Sequence, residues 1–317
     1  MSRIVLLMAR PRIMLSECLG VKSVRYDGNI VFDSFIEILK KYVDVVPICP
    51  EVGIGLGIPR NPLVLRKENN NIELIDTGTG SIYTKLLEKF AIDVLDKTDV
   101  DGVVLKSASP SCGVGDAKIY GPDRRVVGKG DGIFTATIKK LMPCIPIESE
   151  KRLYAYEIRV RFLTKIFSFA ELRSTLSNLK SIEELVDFHR KYKYLIMLHS
   201  QESLKNLGRL IAKRKEYVSE ELANRYRKEF TKALCRNPSR RSYVNVFMHI
   251  YSHLKKDLNT NERRYIIDLI ERYGNCKENL KTIMIYFRGF IHRFEDSYLA
   301  EQRFLFPYPE ELDSISQ

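Results

Sequence analysis

Val103-Val104-Leu105-Lys106-Ser107-Ala108-Ser109-Pro110-Ser111-Cys112-Gly113 opens as an apolar, β-branched run and ends as a serine- and proline-rich loop closing on a cysteine. A short, continuously apolar run is the pattern of a strand buried on both faces, as in a parallel sheet. The same arrangement occurs twice upstream. Ile13-Met14-Leu15 leads into Ser16-Glu17-Cys18-Leu19-Gly20, and Val43 to Ile48 leads into Cys49-Pro50-Glu51. Loops that follow successive strands of a parallel α/β sheet gather at one end of it. Three thiols far apart in sequence are therefore expected to meet in space.

Helical patterns lie between these strands. Residues 34–42 and 133–142 read as helices, and so do 81–95 with Ser81 as N-cap. Residues 145–147 read as a short last strand, and 50–80 as loop. This βαβ series predicts a Rossmann-like parallel-sheet domain over residues 1–150. Beyond it the pattern becomes helical: 151–165, 181–198, 200–216, 219–235, 239–257, 260–273 and 276–293. An all-α domain over 165–317 is expected, with 165–180 as the link. The expected fold class is α/β followed by all-α.

Charge divides the chain at the same place. Residues 1–150 hold 20 basic and 19 acidic side chains, and the remainder holds 32 and 21. The net charge of +12 thus falls almost wholly in the second half, with all five histidines. Basic runs such as Lys213-Arg214-Lys215, Arg236 to Arg241 and Arg263-Arg264 usually form a solvated face. Their number, with interleaved tyrosines, makes phosphate contact a credible role. No apolar run approaches membrane-spanning length. Ile4 to Ala9 is signal-like, but Arg10-Pro11-Arg12 interrupts it, so a cytoplasmic protein with reduced thiols is expected.

The chemistry-bearing residues cluster around the three cysteines. Thiolates ligate iron–sulfur clusters, and each of these cysteines sits beside Gly or Pro just past a strand. Zinc has no C-x-x-C or paired histidine to support it in this half. Cys144, Cys235 and Cys276 lack such settings and read as packing residues. Glu51 follows Cys49 by two, the spacing of a carboxylate placed to act as a base on water near a metal. Ser107, Ser109 and Ser111 with Lys106 surround Cys112, and Arg25-Tyr26-Asp27-Gly28 follows Cys18. Serines and prolines also build ordinary turns. Gly53-Ile54-Gly55-Leu56-Gly57 lacks the dinucleotide spacing and is expected to allow close backbone approach to a ligand. Gly128, Gly130 and Gly132 suggest a tight loop. His249 and His253 share a helix face, but no glutamate completes a zinc motif.

These motifs, S-x-C-L-G, R-Y-D-G, C-P-E with G-L-x-x-P-R, K-S-x-S-P-S-C-G and I-Y-G-P with G-x-G-D-G, resemble those of the thiouracil desulfidase (TudS) family over residues 12–150. The later K-Y-L-I-M-x-H-S stretch (193–200), Leu207-Gly208-Arg209-Leu210 and Pro307-Tyr308-Pro309-Glu310-Glu311-Leu312 resemble a YbgA-type domain. The first resemblance implies a [4Fe-4S] cluster on Cys18, Cys49 and Cys112, with one iron left open for a thiocarbonyl sulfur. It makes Glu51 the candidate base and Ser109 or Ser107 the group that polarises or protonates substrate. Arg25, Asp27, Arg60, Lys106 and Ser111 are the expected substrate contacts. The chain departs from the usual family pattern at Leu19-Gly20, where a second leucine is commonly found.

A free thiobase needs no positive patch, whereas thiolated uridine in tRNA would account for the charge of the second half. The expected partner is therefore a thiolated nucleobase or tRNA, with RNA contact through the basic helical domain. Two rivals stand beside this. One is a desulfidase of free 2- or 4-thiouracil with a structural helical domain. The other is a non-catalytic iron–sulfur sensor that binds nucleic acid.

Overall fold

The computed structural model describes residues 8–68, 71–177, 179 and 181–313, so the Ile4–Ala9 stretch lies largely outside the described residues. Two compact units divide the chain, one running to Ala170 and rejoined by the segment from Leu312, the other Glu171–Glu311.

In the first unit, four parallel strands form one sheet: β1 (Arg12–Ser16), β2 (Asp44–Ile48), β5 (Gly102–Leu105) and β8 (Ile147–Ser149). Their spatial order is β2-β1-β5-β8. β1 pairs on one side with β2 (Ile13 opposite Val45) and on the other with β5 (Met14 opposite Val103). The chain thus leaves β1 in one direction and returns to its other flank, which opens a crevice at the carboxyl ends of β1 and β5. All three cysteine loops leave from that end. β8 closes the sheet with Val104 opposite Glu148.

A second sheet, ordered β4-β3-β6-β7, is where structure and sequence expectation part. Residues 50–80 are not simply loop. They hold a one-turn helix α2 (Pro50–Gly53) and an antiparallel hairpin of β3 (Leu63–Glu68) and β4 (Asn71–Asp76). β6 (Ala117–Tyr120) and β7 (Val126–Gly130) complete it, so Gly128 and Gly130 are strand residues rather than a tight loop. Leu65, Leu74, Ala117 and Ile119 from this sheet join Met14, Val103 and Leu105 of the first in one buried core. Burial of that shared apolar surface is what commits the half-polar strands to pairing.

The helices follow the expected pattern with shifted ends. α1 (Ser34–Leu39) is capped by Asp33, whose carboxylate accepts the Ile36 N–H at 3.0 Å. α3 (Thr84–Lys97) begins after Tyr83, so Ser81 is not its N-cap. Instead the Ser81 carbonyl accepts from Asp76 N–H and belongs to the preceding turn. α4 (Ile133–Leu141) starts at Gly132. Residues 151–165 open with a 3-10 turn (Arg152–Tyr154), and α5 (Tyr156–Ser177) occupies most of the stretch expected to be a link.

The second unit is helical, with α6 (Ile182–His199), α7 (Gln201–Ala212), α8 (Ser219–Cys235), α9 (Arg240–Leu254), α10 (Thr260–Gly274), α11 (Leu280–Phe294) and the short α12 (Ser297–Ala300). Aromatic rings fill its core: Phe188 stacks on Tyr192 at 4.2 Å, and Phe247 on Phe287 at 5.0 Å between centroids. Two histidines serve this packing. His189 shares a hydrogen bond of 3.1 Å with Tyr226, and burial lowers its pKa to about 4. His253 pairs with Asp296 at 2.8 Å. Cys276, expected to pack, is exposed at a left-handed backbone position beyond α10. No described helix is long and apolar enough to cross a membrane.

Candidate metal and active site

Each strand of the parallel sheet delivers one part of the site from its carboxyl end. Cys18 follows β1, in a turn closed by Leu19 N–H donating to Ser16 O. Gly20 there has φ +69, and a Cβ on it would stand 2.3 Å from Glu37 Oε1. Cys49 follows β2 as the N-cap residue of α2, with its sulfur 3.9 Å from Val24 O. Cys112 ends the loop after β5 and is buried. Its N–H donates to Ser109 Oγ at 3.1 Å, and its carbonyl accepts from Thr135 Oγ1 at 2.8 Å.

The start of α4 lies flat against that loop. A Cβ on Gly132 would sit 2.4–2.7 Å from backbone atoms of Ser111 and Cys112, far inside contact distance. Backbone cannot yield as a side-chain tip can. Gly132→Ala is therefore expected to displace Cys112, lowering iron incorporation while the helical unit stays folded, as iron analysis and circular dichroism would show. The missing side chain of Gly53 leaves room for the Phe90 ring, which a Cβ would meet at 2.2 Å.

The three thiols are free and electrostatically coupled. Burial, then the neighbouring Cys49, pushes the Cys18 thiol up to about 12. Burial also raises Cys49, with Glu51 adding to the effect. Cys112 is raised well above the ordinary thiol range by burial, then by Cys18 and Glu51. Burial thus favours the protonated thiols, and binding a cationic metal centre would release their protons. Among the described residues, no group of three His, Cys, Asp or Glu is spaced to hold a single ion. Thiolates are the ligands of iron–sulfur clusters, and the mutual influence of the three thiols fits such a shared centre.

Glu51 is held beside Cys49 with little freedom. Arg60 donates Nε at 2.8 Å and Nη2 at 2.6 Å to the same oxygen, Oε2. Ser111 Oγ donates to Oε1 at 2.9 Å. Arg60 is fixed in turn by Val24 O and Gly57 O. A carboxylate offers about four acceptor positions; donors among the described residues fill three, two on Oε2 and one on Oε1. Arg25 and Asp27 pair with each other at 3.4 Å near Tyr26, whose carbonyl accepts from Arg60 N–H.

The serines separate into distinct roles. Ser109 Oγ accepts from the N–H groups of Ser111 and Cys112, which leaves its own proton to donate. Ser111 is spent on Glu51. Ser107 is buried and gives its proton to Glu150 Oε1 at 2.6 Å. Glu150 is the residue the sequence reading missed. Only 2% exposed, it also accepts Ser107 N–H at 2.7 Å and Lys106 Nζ at 2.6 Å. The available signal was its place just past the last parallel strand, at the same sheet end as the cysteines.

Residues 13–150 match the family described as 2-thiouracil desulfurase, and 193–309 match one described as a protein of unknown function (DUF1722). The uncharacterized protein YbbK of Bacillus subtilis (strain 168) is 32% identical over 111 residues, 32% of this chain and 74% of its own length. The uncharacterized protein YbgA of Escherichia coli (strain K12) is 24% identical over 148 residues, 46% of this chain and 88% of its own. A solved structure titled [4Fe-4S]-dependent thiouracil desulfidase TudS is 28% identical, with a TM-score of 0.38, covering 48% of this chain and 97% of that one. The chain belongs to the 2-thiouracil desulfurase family, its TudS-like domain being fused to a YbgA-type domain.

Proposed function

We propose that the protein is a cluster-dependent desulfidase that replaces the thiocarbonyl sulfur of a thiolated uracil or uridine by oxygen. The observation that carries this reading is the gathering of three free thiols and a fixed carboxylate at the end of one parallel sheet. Cys18, Cys49 and Cys112 would hold a [4Fe-4S] cluster, which supplies Lewis acidity toward sulfur when bound.

The chain's own residues do the rest. Glu51 Oε1 receives a proton from water aimed at the ring carbon. Arg60 and Ser111 keep the carboxylate from turning away. Ser109, with its proton uncommitted, donates toward the substrate, while Ser107 supports Lys106 and Glu150 instead. A carbon–oxygen bond forms, the carbon–sulfur bond breaks, and the protons of water leave with sulfide, so no net redox change occurs. One sulfide released per thiocarbonyl lost tests this; consumption of thiouracil without sulfide would remove the reading.

Thiouridine within tRNA is the favoured form of the substrate, with contact through the helical unit. One feature of that unit supports it beyond net charge. A cleft of about 420 Å³ between α7 and α8 gathers Arg209, Lys213, Arg225, Lys228 and Lys232 against one carboxylate, Glu229. Tyr217 lies in the same cleft with the Arg225 guanidinium 4.9 Å over its ring, a surface suited to phosphate and base alike. Removing Lys213 and Lys228 together, as alanines, should weaken RNA binding and lower its log–log salt slope by about 2. Filter binding across a salt series checks this, and an unchanged slope would exclude the cleft as the contact.

A further inference from the structure

We propose that the cleft between α7 and α8 is a site for one nucleotide, an unstacked base with its phosphate, which rests on the RNA contact of the proposed function. The two helices pack against each other, and Leu207 and Ile211 of α7 and Tyr226 and Phe230 of α8 are buried. Polar side chains of the same two helices line the cleft. Asn206 and Arg209 stand one turn apart on α7, and Arg225, Lys228 and Lys232 follow one another at about a turn on α8. Like charges at that spacing repel, and a bound anion relieves the repulsion. Lys213, Arg225 and Lys232 have carboxylates beside them in Glu216, Glu221 and Glu229. Arg209 and Lys228 have no ion pair among the described residues. Two uncompensated cations in one cleft suit a phosphate group.

Charge alone would suit any anion; the rest of the lining selects a base. Tyr217 comes just after the 3-10 turn Arg214–Glu216, with the Arg225 guanidinium 4.9 Å over its ring. Unstacked bases lie on aromatic rings and on guanidinium planes, and this cleft holds both together. Asn206 donates its amide nitrogen to Glu229 Oε1 at 3.3 Å. That bond orients the amide and leaves its carbonyl oxygen to accept from a base N–H. A volume of about 420 Å³ falls in the range of small-ligand pockets, about 300–1,000 Å³. A base still stacked in a duplex keeps its faces covered and offers such a cleft only phosphates. An acidic peptide offers charge but no planar ring for Tyr217.

The test uses the full-length protein and a short, unstructured, fluorescein-labelled RNA, with displacement followed by anisotropy at fixed salt. Adenosine or uridine 5′-monophosphate is expected to displace the RNA at concentrations where inorganic phosphate does not. A blunt RNA duplex is expected to compete more weakly than a single strand of the same length. Tyr217→Leu removes the stacking ring and no charge. Affinity for the single strand and the monophosphates should fall about tenfold, with the salt slope unchanged, and Tyr217→Phe should restore it. Asn206→Ala should weaken the monophosphates and leave inorganic phosphate unaffected. RNA that binds more tightly than the monophosphates places the nucleotide in a strand; the reverse makes it a free nucleotide, and either result keeps the site. Inorganic phosphate or a polyglutamate peptide that competes as well as the monophosphates overturns the site, as does Tyr217→Leu with both affinities unchanged. RNA binding itself, and the RNA-directed reading, would survive those results. A protein that binds neither RNA nor nucleotide overturns both.

Discussion

Cys112→Ala is expected to abolish both the cluster and the desulfidase activity. The cysteine is buried, its backbone is pinned by Ser109 and Thr135, and it lies against Gly132. Losing an outer-shell partner of a metal site costs about 10–100-fold in affinity or activity. Losing one of the three proposed ligands should exceed that, with visible absorption, iron and acid-labile sulfide all falling to background. Cys276→Ala is the matched control. That residue is exposed in the other unit and should leave absorption and turnover unchanged. Full iron content in the Cys112 variant would mean that another side chain completes the site.

Glu51→Gln is expected to give the second large effect, of a different kind. The cluster should form as in the parent protein, because the three thiols remain. Turnover should fall by about 10²–10⁴-fold, the usual contribution of a positioned general base. Arg60 is only 8% exposed, and removing its counter-charge leaves a buried guanidinium partly unpaired. Breaking such a pair costs about 3–5 kcal/mol. A melting curve should therefore be measured beside the rate. A variant that retains iron and melts near the parent temperature, yet turns over within a few-fold of it, would remove Glu51 from the role of base. If only KM rises, the carboxylate binds substrate without moving a proton.

Much of the site was legible because parallel strands announce themselves. Ile13-Met14-Leu15 and Val103-Val104-Leu105 are buried on both faces and read as unbroken apolar runs, so the loops after them could be placed at one sheet end. The second sheet was not legible for the complementary reason. Leu63-Val64-Leu65-Arg66-Lys67-Glu68 loses its apolar character halfway, and Val126-Val127-Gly128-Lys129-Gly130 is mostly exposed and glycine-rich. Those strands are held by pairing and by a core shared with the first sheet, which local sequence does not display. The room that Gly53 leaves for the Phe90 ring was not legible either, because a glycine needed for ring packing looks the same in sequence as one needed beside a ligand.

Side-chain partnerships were the least legible part. Arg60 stands out in its motif, but nothing in the spacing shows that it grips Glu51 from across a turn. Ser107 and Ser109 look equivalent in Lys106-Ser107-Ala108-Ser109; only the fold reveals that one is spent on Glu150 while the other keeps its proton. The left-handed backbone at Ala108, φ 56, separates the two. Glu150 itself carries no motif beyond its position after a strand.

The most direct measurement is anaerobic incubation of the cluster-loaded protein with tRNA containing thiouridine, following loss of the thionucleoside and release of inorganic sulfide together. Equimolar loss and release, absent in the Cys112→Ala variant, is the expected result. Thiouridine that stays intact in tRNA while free 4-thiouracil is consumed would contradict the RNA-directed reading and leave only the catalytic site. No sulfide from either substrate, with a cluster in place, would contradict the desulfidase itself.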